Sequence, residues 1–412
     1  MWLCFAERSN SSGRARVRIL PLHPQPQPDE ILSSWMVRLA FANGFPLHTF
    51  YANLLGYKAP IWNRDTDRHP ATALLDVLSR CTGQIPATLQ TLTLGAYDGI
   101  LFEQLPLIGN ASWVLPVGVF HRTRRRAGMQ FCPICLQLDI TPYYRRHWRL
   151  ALYAMCEHHQ CVMQEYCPSC NTPVAYHRHG IGRRKAIPEQ ALRLCHLCGF
   201  DLRRTRPVYL DWPDGYSWLL FGATISFFEQ GAWDCGRLTP ACGVPFFQGF
   251  HTLVTVINGR HGHQLRQLLG KTFGMTIGTD HPASRHIEFE NLNAFERLKL
   301  LLAATWLLDD WPNRFIALCS EAKFTRSRMA ENVHNLPFWL ANVVDEYLDC
   351  RPYIPNEHEI IAAGHYLDTH EQPVSPSALS QLLGLSRDIA DAAWRLWQRH
   401  SCSVPKKPHG SI

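Results

Sequence analysis

The chain has 412 residues, 46% of them hydrophobic and 18% charged. That balance excludes an intrinsically disordered chain, and the length points to two or three domains. A formal charge of +7 suits a polyanionic partner without identifying one.

The N-terminal residues 1–18 read as a disordered extension. Glu7 and Arg8 interrupt its short apolar start, so no signal peptide is expected. Residues 19–120 form a predicted N-terminal helical region. ILPLHPQPQP (19–28) is extended and ends at Asp29, a suitable N-cap. Ile31, Leu32, Trp35, Met36, Leu39 and Ala40 then recur at helical spacing until Asn43-Gly44. A short helix follows over 48–55. Next comes a helix–turn–helix-like unit: Leu74, Leu75, Val77 and Leu78 mark one helix, CTGQI (81–85) the turn, and Pro86 the start of the second. PATLQTLTL has no Arg or Lys, which favours a plain helical hairpin over a reader of base edges.

Residues 121–206 hold the densest chemistry. Eight of the 15 cysteines fall between Cys132 and Cys198, where even scatter would place about 2.4. Three CxxC pairs occur there, Cys132/Cys135, Cys167/Cys170 and Cys195/Cys198, against roughly half a pair expected by chance in the whole chain. A two-residue gap in a tight turn lets both thiolates reach one ion, and zinc prefers four such ligands in a tetrahedron. Cys156 and His159 complete Cys132/Cys135, and Cys195/Cys198 complete Cys167/Cys170. Two structural zinc ions are therefore expected. An interleaved pairing stays open, and His158 rivals His159, although Cys-x2-His mirrors CxxC better. Cys161 and His196 fit no set of four and read as a small buried residue and a solvated one. With four protein ligands each, both sites look closed, which disfavours a catalytic zinc. NEHEIIAAGH (356–365) starts like HExxH, but Ala362 stands where the second His is required.

Arginines surround the cysteines in HRTRRRAG (121–128), RRHWR (145–149) and GRRK (182–185). Arg122, Arg124, Arg125, Arg126, Arg145, Arg146, Arg149, Arg183, Arg184 and Lys185 are candidate nucleic-acid-binding residues on a phosphate-facing surface. The aromatics at 143–148 either stack on bases or fill the core of a small metal module. Residues 207–350 read as a helical domain. Its longest apolar stretch, 218–228, falls short of the roughly 20 residues that cross a bilayer, so no membrane segment is expected. Residues 351–400 form a second helix–turn–helix-like module, winged-helix or similar, with Leu379, Leu382 and Leu383 before Gly384 and Ile389, Ala390, Ala393 and Leu396 after it. Residues 401–412 are a disordered tail. The fold class is thus mainly α and multidomain, with two small zinc-ribbon or zinc-finger modules.

LPLHPQPQPDEILSSWMVRLAFANG resembles the opening of TniQ proteins, the target-selection factors of Tn7-like and mercury-resistance-type transposons. The likeness continues through LLDVLSRCTGQIPATLQTLTL, QFCPICLQLDITPYYRRHWRL, MCEHHQC with CPSC, CHLCGFDL and LLDDWPNRF, in that order over residues 19 to 320. The resemblance implies a non-catalytic protein of the bacterial cytosol, nucleoid-associated, that selects a target for DNA transposition. It implies an AAA+ ATPase regulator as partner, the transposase indirectly, and target DNA or an RNA-guided DNA-bound complex. It also implies the eight metal ligands named above and allows a homodimer. The alternatives are a stand-alone zinc-finger and helix–turn–helix DNA-binding regulator, and a zinc enzyme.

Overall fold

The computed structural model of the chain describes residues 19–62, 64–117, 119–120, 123–124, 126, 128–179, 191–230, 232–235, 238–278, 287–330, 336–349 and 353–403. The expected extension (1–18) lies outside the described residues, as does nearly all of the expected tail. Two units divide the chain, residues 1–347 and 348–412. Helices dominate both. Among the described residues the paired strands form two short antiparallel hairpins, Val119–Phe120 with Thr123–Arg124 and Ala232–Cys235 with Leu238–Cys242. The second hairpin interrupts a stretch that reads as helical from its apolar periodicity. The zinc region carries isolated bridges and 3-10 turns, with no ladder of its own among the described residues.

In the first unit the proline-rich lead packs along the helix Leu32–Ala42. Proline cannot offer its own N–H, so side chains of the helix tie the lead down by its carbonyls. The Trp35 indole donates to Pro24 O at 2.8 Å, the Arg38 guanidinium to Gln25 O at 2.8 Å, and Asn43 Nδ2 to Leu22 O at 2.6 Å. Leu32, Trp35, Met36 and Leu39 are all fully buried, as their spacing requires. Asp29 is not the helix cap. Ile31 holds that position, without a side-chain cap. The Asp29 carboxylate turns instead to Arg145 and His147, each 3.7 Å away, and its backbone is left-handed at φ 56°. The expected second helix is Leu47–Thr49 running into a π turn, Phe50–Leu54. The helices Thr72–Thr82 and Pro86–Thr91 follow, separated by Gly83 at φ 74°.

Farther along, Gly215–Phe227 and Gly243–Asn258 pack on Ala294–Asp309, whose Leu298, Leu301, Leu302 and Leu308 are fully buried. The same helix carries Arg297, also fully buried, which donates to Glu165 Oε1 at 3.0 Å and to Gln130 Oε1 at 2.9 Å. Glu165 Oε2 accepts from the Ala294 N–H at 3.0 Å. Gln130 Nε2 donates to the carbonyls of Leu150 and Tyr153. One guanidinium thereby joins the cysteine-rich region to the helical region.

The second unit is a three-helix cluster, Glu357–Thr369, Pro376–Leu383 and Arg387–Ser403, around Ile360, Leu367, Leu379, Leu385, Ala390 and Trp397. Asn356 and Glu359 form a capping box at its first helix, and Ser375 caps the second. A Cβ on Gly364 would stand 2.3 Å from the Trp397 ring, so this crossing admits only glycine.

Burial pushes the Asp29 carboxyl up to about 6 and the Glu30 carboxyl up to about 7, against the pull of Arg145 and Arg38. Their unfolded values lie near 4, so the protonated forms favour folding, and this contribution is lost as pH rises through 6 to 7. The Glu30→Gln chain is expected to gain thermal stability relative to wild type as pH rises from about 5.5 to about 8. Melting curves at both ends test this, and a gap that does not change with pH contradicts it.

Candidate metal centres and the arginine loop between them

Two groups of four donors converge. Cys132, Cys135, Cys156 and His159 form one, and Cys167, Cys170, Cys195 and Cys198 the other, with all ligand atoms of a group within 4.8 Å of each other. In the first, His159 Nδ1 lies 3.5 Å from Cys132 Sγ, 3.3 Å from Cys135 Sγ and 3.4 Å from Cys156 Sγ, and the Cys135 and Cys156 sulfurs are 3.6 Å apart. In the second, Cys167 to Cys198 and Cys170 to Cys195 are each 3.6 Å. A tetrahedron with metal–sulfur bonds of about 2.3 Å has edges of about 3.7 Å, so both groups fit one ion apiece. The pairing is sequential and not interleaved. His158 points away, its side chain 64% exposed and its Nε2 3.7 Å from Glu157.

The local backbone explains why these spacings work. Cys156, Cys167 and Cys195 each begin the same turn. The cysteine N–H donates to a carbonyl five residues on (Cys161, Thr172, Phe200), and the residue four on donates back to the cysteine carbonyl. That fourth residue must be left-handed: Gln160 has φ 51°, Asn171 φ 52° and Gly199 φ 78°. Cys132 differs. It caps the short helix Pro133–Leu138, with Pro133 in the first turn and Cys135 N–H aimed at Cys132 Sγ at 3.5 Å. Nothing lies within 4 Å of a Cβ on Gly199, so Gly199→Val should lose about 1–2 kcal/mol from backbone strain alone. Denaturant titration of the metal-loaded chain measures it, and an unchanged midpoint contradicts it.

The segment between the halves of the first group is not a surface loop. Tyr144 and Trp148 are fully buried and Tyr153 is 2% exposed, so the aromatics fill the interior. Its backbone docks on the N-terminal region through Ile31 N–H to Tyr144 O (3.0 Å) and Arg146 N–H to Asp29 O (2.7 Å).

Two candidate nucleic-acid-binding arginines, Arg145 and Arg149, are buried, and a third, Arg146, is half-buried. Arg149, 2% exposed, grips Asp65 through two bonds of 2.9 and 2.7 Å, reaches Asp67 at 3.1 Å, and donates to Leu115 O. Asp67 in turn accepts from the Ser33 N–H and hydroxyl, both at 2.8 Å. Arg145 makes a bidentate pair with Asp139 at 3.1 and 2.8 Å and stacks near Tyr143 and Trp148. Arg146 lies over the Tyr97 ring at 5.0 Å, meets Glu229 at 3.3 Å, and donates to Thr91 O. In RRHWR each of these guanidinium groups already has a carboxylate partner. Arg126 is exposed. Arg124 sits in the strand Thr123–Arg124. Arg122, Arg125, Arg183, Arg184 and Lys185 lie outside the described residues. Spacing did not single out Cys161, whose buried sulfur is 3.6 Å from Cys132 Sγ. His196 lies beside His179, with ring centroids 6.5 Å apart.

Residues 21–163 match the family model of TniQ. That segment is similar to TniQ. The matched TniQ segment runs from the proline-rich lead through all of the first donor group and ends just before Glu165 and the second group. No curated protein matches the chain. Among the described residues, no helix is long and apolar enough to cross a membrane.

Arg149→Ala leaves the buried Asp67 carboxylate without this cation, a loss of about 3–5 kcal/mol. The expected result is a chain that is destabilised or insoluble. A soluble Arg149→Ala chain with wild-type stability and weakened DNA binding would restore this arginine to the nucleic-acid surface.

Proposed function

We propose that this chain is a TniQ protein and a non-catalytic accessory factor of DNA transposition, one that selects the target and couples it to an AAA+ ATPase regulator and, through it, to the transposase. The family match over residues 21–163 carries the reading. The donor groups support its non-catalytic side: each offers four protein ligands to one ion, the arrangement of a structural site with no position left for water or substrate.

The metal in this reading is zinc, one ion on Cys132, Cys135, Cys156 and His159 and one on Cys167, Cys170, Cys195 and Cys198. Three or four thiolates with at most one imidazole are the donors of structural zinc. The ions hold shape: the first fixes both ends of the segment that docks on residues 29–31, and the second closes the chain between Cys167 and Cys198. Nucleic-acid contact falls to the arginine-rich stretch ahead of Cys132, Arg122, Arg124, Arg125 and Arg126, together with Arg183, Arg184 and Lys185. Arg145, Arg146 and Arg149 have no part in it. The organisation is an N-terminal helical region, a two-zinc region and a helical region, followed by a C-terminal module at 351–400. The target is DNA or a DNA-bound complex, and a homodimer is compatible with either.

Two measurements on the full-length chain test this. Cys167→Ser should lower the bound zinc from two ions to one and reduce solubility, since structural zinc supplies about 10–16 kcal/mol to small fingers; unchanged stoichiometry would remove Cys167 from the ligand set. Affinity capture with an AAA+ ATPase regulator of a Tn7-like transposon should retain the wild-type chain. DNA binding without capture of that ATPase would favour the stand-alone regulator.

A further inference from the structure

A further thiol lies beside the first donor group. Cys161 is fully buried, and its sulfur lies 3.6 Å from Cys132 Sγ, the distance that separates the Cys135 and Cys156 ligand sulfurs. It is held there by the turn that presents the ligands: Cys161 O accepts from the Cys156 N–H at 2.9 Å, so its Cα is fixed by the same bond that shapes the Cys156–His159 knuckle. His159 is the one donor of the four that is not buried. The ligand most open to displacement is therefore the imidazole, and the spare donor sits on the enclosed side. A valine or alanine would fill a buried apolar position as well as cysteine does, without bringing a second thiol against a ligand.

We infer that Cys161 is a reserve ligand of the first metal site, able to take the place of His159 and convert a three-thiolate, one-imidazole site into a four-thiolate one. Both donor sets are established types of structural zinc site. The exchange breaks the metal–Nδ1 bond to His159, forms a metal–Sγ bond to Cys161 and releases the Cys161 thiol proton, so the site gains one negative charge. The exchange would keep the docked segment 139–154 anchored when the half-buried imidazole is pulled away.

This inference rests on the zinc reading above, and the test separates the two. Full-length wild type, His159→Ala, Cys161→Ala and the double variant are prepared with zinc for metal analysis and with cobalt(II) for absorption spectra, in which thiolate-to-metal charge-transfer intensity rises with the number of thiolates. Wild type and Cys161→Ala should each bind two ions with the same spectrum. His159→Ala should keep two ions and gain charge-transfer intensity equal to one further thiolate. The double variant should keep one ion. A His159→Ala chain that holds one ion, that holds two without the added intensity, or that is insoluble while Cys161→Ala is soluble overturns the inference. A wild-type chain binding fewer than two ions overturns the zinc reading itself.

Discussion

A single fully buried guanidinium, that of Arg297, carries the architecture of the first unit. It projects from a leucine-lined helix into the cysteine-rich region and meets Glu165 and Gln130 there. A buried charge without partners is heavily penalised, so neither surface is stable with the other withdrawn. Gln130 lies inside the segment that matches TniQ, whereas Glu165 and Arg297 lie beyond its end. The boundary of the family match is thus not a boundary of the folded unit. The two zinc-region modules and the helical region, separable in the sequence by composition, are packed into one body that runs to residue 347.

Legibility follows the range over which each constraint acts. The donor groups were readable because their geometry is local: two-residue gaps, a proline at Pro133 and a glycine at Gly199 set the knuckles within a few positions. Helix periodicity was readable for the same reason, and Leu32–Ala42, Thr72–Thr82 and Pro376–Leu383 fall where their apolar spacing places them. Asp29 failed as a cap because a carboxylate near a helix start has two possible uses. Tertiary contact with Arg145 and His147 decided between them. The hairpin Ala232–Cys235 with Leu238–Cys242 has no periodic signature separating it from its helical neighbours.

The arginines show the limit most clearly. RRHWR reads as a free basic string, but the fold has carboxylates waiting for it. Asp65 and Asp67 are more than 80 residues from Arg149, and Glu229 is 83 from Arg146. No local rule reports such pairs. Cys161 was passed over for a related reason: spacing rules count ligands in sets of four and discard the remainder, whereas the fold places that remainder against a ligand.

The internal pairing of these arginines bears on how the protein looks from outside. Arg145 with Asp139, Arg149 with Asp65 and Arg297 with Glu165 are ion pairs drawn largely out of solvent. Each removes one charge of either sign from the surface, so the excess of +7 is preserved and spread over fewer exposed groups. An approaching polyanion therefore meets a cleaner positive field than the 41 basic and 34 acidic residues suggest, and retention on an anionic column would be set by arginines and lysines other than these three.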